Sequence, residues 1–180
     1  KTRSEIILMY KTFMDKFPKE RVRVYISMAF GSKESGRVTP SMMKSCVADA
    51  KMFGDTIVLS DTTGVGFDDD IKRWAAFALH ENLTPALHLH HKGDESRAVS
   101  LVRAGLLAGI KQFDSSIGGL GGCPFAKGSG ANLATETLVK YLIAWGFETG
   151  VDLKLLQVAS DIANRIKHNE VLLKSPTVLC

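Results

Sequence analysis

Four short apolar runs recur along the chain at intervals of roughly 30 residues, at 22–28, 55–61, 86–91 and 109–115. Each is apolar almost throughout instead of alternating, the pattern of parallel strands buried on both faces. Between them the apolar positions switch to helical spacing. Thr39 followed by Pro40 predicts an N-cap and first helical residue, with the helix running to Gly54. Asp68, Asp69 and Asp70 put negative charge at the start of a second helix that ends near His80. Asp94 caps a third, closed by Gly109, and a fourth begins just after Asn132 and stops at Gly146 or Gly150. Asp152 caps a last helix ending near His168, and the chain also opens on a helical pattern. Residues 169–180 carry no clear period and are expected to form a loose tail.

Strand and helix alternating four times means βαβ units with parallel strands. An open doubly wound sheet and a (β/α)8 TIM barrel both fit that alternation. Polar residues gather at the C-terminal end of every predicted strand: Ser27, then Asp61, then His88 and His90, then Asp114 and Ser115. Barrel enzymes build their sites from several successive strand ends in this way, whereas doubly wound folds concentrate theirs at one switch point. A whole barrel takes about 250 residues. The expectation is an α/β chain in which residues 1–168 form the C-terminal half of one barrel domain, the last four βα units.

Composition narrows the classes. The 180 residues are 45% hydrophobic with mean hydropathy near zero, enough for a sizeable core. The net charge of +4 is spread over scattered Lys and Arg residues. No basic run is interleaved with aromatics, which argues against a nucleic-acid partner. No apolar run approaches the length of about 20 residues that spans a bilayer, so no membrane role is expected. Cys46, Cys123 and Cys180 form neither a disulfide framework nor a Cys-x-x-Cys metal pattern, which points to a reducing compartment.

The candidate chemistry lies in the second half. Residues 116–132 hold Cys123 in a glycine-rich segment that ends at Asn132. Glycine costs roughly 0.5–1 kcal/mol of ordering entropy relative to alanine, so a run of them is an expensive structural choice. His88 and His90 point to one strand face, about 7 Å apart along the strand, close enough to share one ion. The alternative is a pair of part-buried imidazoles bonded to backbone. His91 points the other way. Asn132 could be an ordinary N-cap or, if the histidines hold a metal, a third ligand. Glu136, on the first turn of that helix, could take a proton, orient a metal-bound water or complete the favourable charge at a helix start. Asp61 could hold the turn that follows it or face the site as a carboxylate. Cys123 is expected to be an exposed thiol, Cys46 a core residue and Cys180 a bystander. His80 and His168 suit helix C-termini.

These residues resemble one family. Gly118 to Ala126 (Gly-Gly-Leu-Gly-Gly-Cys-Pro-Phe-Ala) followed by Asn132-Leu-Ala-Thr-Glu136 is similar to the signature loop of the 3-hydroxy-3-methylglutaryl-CoA lyases. Tyr25-Ile-Ser27, Ser60-Asp61-Thr-Thr-Gly-Val-Gly66, His88-Leu-His90 and Gly146-Phe-Glu-Thr-Gly-Val-Asp152 follow in the same order, so the resemblance spans residues 20–168. It implies a (β/α)8 barrel, homodimeric, that uses Mg2+ or Mn2+ to cleave the acyl-CoA substrate to acetyl-CoA and acetoacetate. It further implies His88, His90 and Asn132 as metal ligands, and Cys123, His88, Asp61 and Glu136 as catalytic residues. Gly119, Gly121 and Gly122 would belong to a loop that closes over substrate. The compartment would be the cytoplasm, or the mitochondrial matrix in a eukaryote, with the cytoplasm preferred.

Three departures accompany the resemblance. The family's Arg-Asp pair at the end of the first barrel strand is absent, so this chain alone is expected to be inactive. His91-Lys92 stands where the family has Asp-Thr, and the Tyr-Ile-Ser strand continues without the common Cys-Pro. The last two bear on which 3-hydroxyacyl-CoA is cleaved. A non-catalytic half-barrel that only pairs with a partner is the rival from a different class.

Overall fold

The computed structural model describes residues 2–122 and 130–167. Helix α1 (Arg3–Met14) opens with a reciprocal cap in which the Thr2 hydroxyl accepts the Glu5 N–H and the Glu5 carboxylate accepts the Thr2 N–H. Strand β1 (Arg23–Ser27) passes through a small hairpin, β2 (Gly31–Ser32) and β3 (Gly36–Arg37), into helix α2 (Pro40–Ala50). Strand β4 (Thr56–Asp61) leads to α3 (Asp68–His80), and β5 (Thr84–His91) leads to α4 (Ser96–Leu107). Strand β6 (Gln112–Asp114) leads through a 3-10 turn, Ile117–Gly119, and a two-residue strand β7 (Ala131–Asn132) to α5 (Thr135–Ala144). Helix α6 (Leu153–Lys167) follows.

Among the described residues, β1, β4, β5 and β6 pair in that order, and every neighbouring pair is parallel. The spatial order follows the sequence and never reverses. A doubly wound sheet reverses at its switch point, so the barrel-type succession is the architecture observed. The rows are in register: Ser27, Ser60, His88 and Asp114 stand level across the four strands, with Tyr25, Val58, Ala86 and Gln112 one row below.

Strand alternation then sorts the side chains onto two faces. Ile57, Leu59, Leu87 and Leu89 point to one of them and are buried against Met43 and Val47 of α2, Ile71 and Ala75 of α3, and Leu101 and Val102 of α4. The level row of Ser27, Ser60, His88 and Asp114 points to the other. Three strand gaps separate β1 from β6, about 14 Å if the sheet were flat. Yet the Tyr25 hydroxyl donates to Asp114 Oδ2 at 2.7 Å. A tyrosine and an aspartate cannot bridge that span unless the sheet curls toward this face, as a barrel wall does.

The local signals at element ends hold, with small shifts. Thr39 caps α2 through its hydroxyl and Pro40 is the first helical residue. The helix ends at Ala50, before Gly54, whose position is set by packing: a Cβ there would lie 2.5 Å from the Val22 carbonyl oxygen. Asp94 accepts the Ser96 N–H at 2.8 Å at the start of α4, and Asp152 accepts the Lys154 and Leu155 N–H groups at the start of α6. Cys46 departs from expectation. The buried stripe of α2 is Met43, Val47 and Ala50, and Cys46 is exposed on its flank. It borders a groove of about 560 Å³ that Tyr10, Met14, Val24, Ile26 and Phe53 also line. No helix among the described residues is long and apolar enough to cross a membrane. His168 and the expected tail lie outside the described residues.

The approach of β7 to β5 is tight. Gly130 has φ +72°, and a Cβ there would stand 1.9 Å from the His91 carbonyl oxygen. Gly130→Ala is therefore expected to lower stability by about 1–3 kcal/mol, measured by urea denaturation. An unchanged unfolding midpoint would contradict this close apposition.

Candidate functional site

The site grows from the C-terminal end of β5. Residues i and i+2 of a strand share a face, and β5 uses this to bring the Nε2 atoms of His88 and His90 within 3.0 Å of each other. Two ring nitrogens at that spacing can share one proton or converge on one cation. Burial holds His88 below the usual imidazole range, with the Asp114 carboxylate pulling the other way. The neutral ring this favours keeps a lone pair available for a metal.

The third group arrives from β7. It runs antiparallel to β5 with Asn132 opposite His90, so their side chains share a face. The Asn132 Nδ2 donates to the Leu120 carbonyl at 2.7 Å. A carbonyl only accepts, so the amide nitrogen must face it and Oδ1 is turned away. That Oδ1 is buried and has no hydrogen-bond partner among the described residues. An orphaned buried acceptor costs about 1–3 kcal/mol, and a cation placed between it and the two imidazoles would satisfy it. His88, His90 and Asn132 are thus the residues that could hold a metal. No group of three or more His, Cys, Asp or Glu side chains is so arranged among the described residues.

Asn132 does not cap a helix. Helix α5 begins three residues later, with Ala134 at its N-cap position. The glycines before it explain how the chain reaches Asn132. A Cβ at Gly119 would stand 2.9 Å from the Asn132 carbonyl oxygen, and one at Gly121 would stand 3.0 Å from Asn132 Nδ2. At Gly122 the obstacle is the Gly130 carbonyl oxygen, at 2.8 Å. These three glycines let two backbone segments lie against each other around the asparagine. Cys123 lies outside the described residues.

Two expected site carboxylates have other partners. Asp61 stands level with Leu89, on the helix-covered face opposite that of His88. Its Oδ1 accepts the Val65 N–H at 3.0 Å and its Oδ2 accepts the Gly66 N–H at 2.9 Å. Burial pushes its carboxyl above the ordinary range, and those N–H groups pull it back. It holds the turn after β4 and does not face the histidines. Glu136 accepts the Gly118 N–H on both oxygens, at 2.9 and 3.1 Å, and so fastens the 3-10 turn where the glycine segment begins.

The site also contains Arg23, which sequence reasoning did not single out, and gives partners to Tyr25 and Asp114, which it noted without a role. Arg23 Nη2 donates to Asp114 Oδ1 at 2.8 Å beside the Tyr25 bond to Oδ2, and the Tyr25 ring meets the His88 ring edge-on with centroids 6.1 Å apart. Their signal was the i, i+2 spacing of Arg23, Tyr25 and Ser27. Burial, then the bond to Asp114, raises the Tyr25 hydroxyl above its usual range. The hydroxyl therefore stays protonated and donating at neutral pH.

Comparison with known proteins identifies the family and the fold. The family model described as HMGL-like matches residues 3–162. The mitochondrial hydroxymethylglutaryl-CoA lyase of Rattus norvegicus is 36% identical over 160 residues, which cover 88% of this chain and 49% of the relative. The chain thus spans about half the length of the curated relatives it matches. An HMG-CoA lyase of Acinetobacter baumannii, solved with coenzyme A and 3-methylmalate, superposes with a TM-score of 0.83 at 25% identity, over 100% of this chain and 61% of that one. The HMG-CoA lyase of Brucella melitensis gives 0.76 at 30% identity, over 93% and 60%. The four-strand wall is accordingly part of a TIM barrel, and the chain belongs to the HMGL-like family.

Proposed function

We propose that the intact protein is a divalent-cation-dependent carbon–carbon lyase that cleaves 3-hydroxy-3-methylglutaryl-CoA to acetyl-CoA and acetoacetate. What supports this is the 3.0 Å approach of His88 Nε2 to His90 Nε2 at the C-terminal end of β5, with Asn132 paired opposite His90 and its buried Oδ1 without a hydrogen-bond partner among the described residues. In barrel enzymes that end bears the chemistry. A bound Mg2+ or Mn2+ would polarise the substrate's tertiary hydroxyl and carboxylate oxygens.

The rest is work for the chain. The hydroxyl proton leaves to a base, the bond between C2 and C3 breaks, and the carbanion formed on the acetyl-CoA side takes a proton. His88 is the candidate for the proton transfers, since burial lowers its pKa toward the neutral ring and the Tyr25 ring packs edge-on against it. Cys123 is the second candidate acid, carried by a segment whose flanking glycines permit close approach. Glu136 and Asp61 serve by fastening the turns at Gly118 and Gly66. The Arg-Asp pair that the family resemblance calls for would come from the other half of the barrel. A homodimer in the cytoplasm completes the proposal. The related reading, a different 3-hydroxyacyl-CoA, draws on His91-Lys92 beside the histidine pair.

Turnover of a panel of 3-hydroxyacyl-CoA thioesters by the intact protein, with and without Mn2+, tests this. Metal-dependent release of acetyl-CoA from the 3-hydroxy-3-methylglutaryl thioester is expected, and no turnover of any member with Mn2+ bound would refute the lyase reading. Cys123→Ala should lower turnover about 100-fold or more while Mn2+ affinity stays within a few-fold; full activity would remove the thiol from the mechanism. Asp61→Asn should lower stability by about 1–3 kcal/mol through the lost N–H acceptor and leave Mn2+ affinity unchanged. A weakened metal site without loss of stability would return Asp61 to the site.

A further inference from the structure

Glu95 stands outside the histidine pair, yet it joins the end of β5 to the start of α5, two residues after β7. Its Oε1 accepts the Ala134 N–H at 2.9 Å and lies 3.5 Å from His91 Nε2, while its Oε2 accepts the Thr137 hydroxyl. Ala134 is the N-cap residue of α5 and has no side chain to cap with, and Thr137 is the third residue of that helix. An N3 carboxylate of the same helix ordinarily takes the N-cap N–H. Here the carboxylate comes from the start of α4, and its negative charge suits the positive end of the α5 dipole.

The segment it captures carries Asn132. Leu133 is already tied on both sides, its N–H donating to the Leu89 carbonyl at 2.9 Å and its carbonyl accepting the Ser116 N–H at 3.1 Å. Asn132 is therefore held between the β5 pairing on one side and the Glu95 clamp two residues on. His91 is the next residue after His90 and points to the opposite face, so the clamp reaches the metal strand from behind. This chain has His91 where the family resemblance has Asp, and the imidazole faces a carboxylate.

We infer that Glu95 is a positioning residue of the metal site: by holding Ala134 and Thr137 against β5, it sets where the Asn132 amide oxygen stands relative to His88 and His90. The inference rests on the reading of those three residues as the cation site. Glu95 contacts neither the cation nor the substrate, and acts through Asn132.

The test is Mn2+ affinity of the intact protein, read from the free-Mn2+ electron paramagnetic resonance signal, together with thermal unfolding of each variant without metal. Glu95→Ala should weaken Mn2+ binding about 10-fold or more, the size typical of partners that orient metal ligands. Glu95→Gln should bind within about 3-fold of the wild type, because its carbonyl still accepts the Ala134 N–H and its amide can donate to the Thr137 oxygen. Adding Glu95→Ala to Asn132→Ala should cause little further loss, the non-additivity of residues that act through one another. Glu95→Ala with wild-type affinity, whatever its unfolding temperature, would overturn the inference. So would losses that add fully in the double variant. Failure of the metal reading looks different: the wild type would then bind no Mn2+, or His90→Ala would bind it as well as the wild type.

Discussion

The antiparallel pairing of Asn132 with His90 is the contact on which the proposed cation site depends. The parallel strands alone supply two imidazoles on one face. The return of the chain at β7 sets Asn132 opposite His90, and that return is a two-residue strand. Such a short pairing has little stability of its own, so it is fastened from several directions. The Leu120 carbonyl fixes the amide, the Leu89 and Ser116 backbones fix Leu133, and Glu136 fixes the turn at Gly118. The bare backbone of Gly130 permits the approach.

A second constraint is the curl of the sheet. Arg23 and Tyr25 on one outer strand reach Asp114 on the other, and the Tyr25 ring meets His88 edge-on. The same bonds that bend the wall also set the environment of the imidazole. Burial disfavours its charged form while the Asp114 carboxylate opposes that effect. Fold and chemistry are coupled here through one aspartate. The helices on the opposite face contribute the apolar mass, with Leu59, Leu87 and Leu89 packed against α2, α3 and α4.

Most of the architecture was legible in the sequence because its signals are local. Thr39-Pro40, the Asp68–Asp70 run and Asp152 each mark a helix start through groups within a few residues of themselves. The histidine pair followed from strand alternation alone. What the sequence hid was register and long-range partnership. Ser60, not Asp61, stands level with His88, so the carboxylate falls on the helix face. Glu136 sits on the first turn of a helix, as expected, but its partner is a backbone N–H 18 residues away. Asn132 looked like a cap because a helix follows it closely, whereas strand pairing claims it first. Cys46 shows the limit of helical periodicity, since one position off the Met43–Val47–Ala50 stripe is enough to expose it.

The central claim is that His88, His90 and Asn132 converge on one cation. Diffraction from crystals of the intact protein grown with Mn2+, with data collected at the manganese absorption edge, tests it most directly. The account predicts an anomalous peak at ligand distance from both Nε2 atoms and from Asn132 Oδ1. A fully occupied Mn2+ elsewhere, with the two imidazoles still bonded to each other and the amide oxygen facing protein, would contradict it.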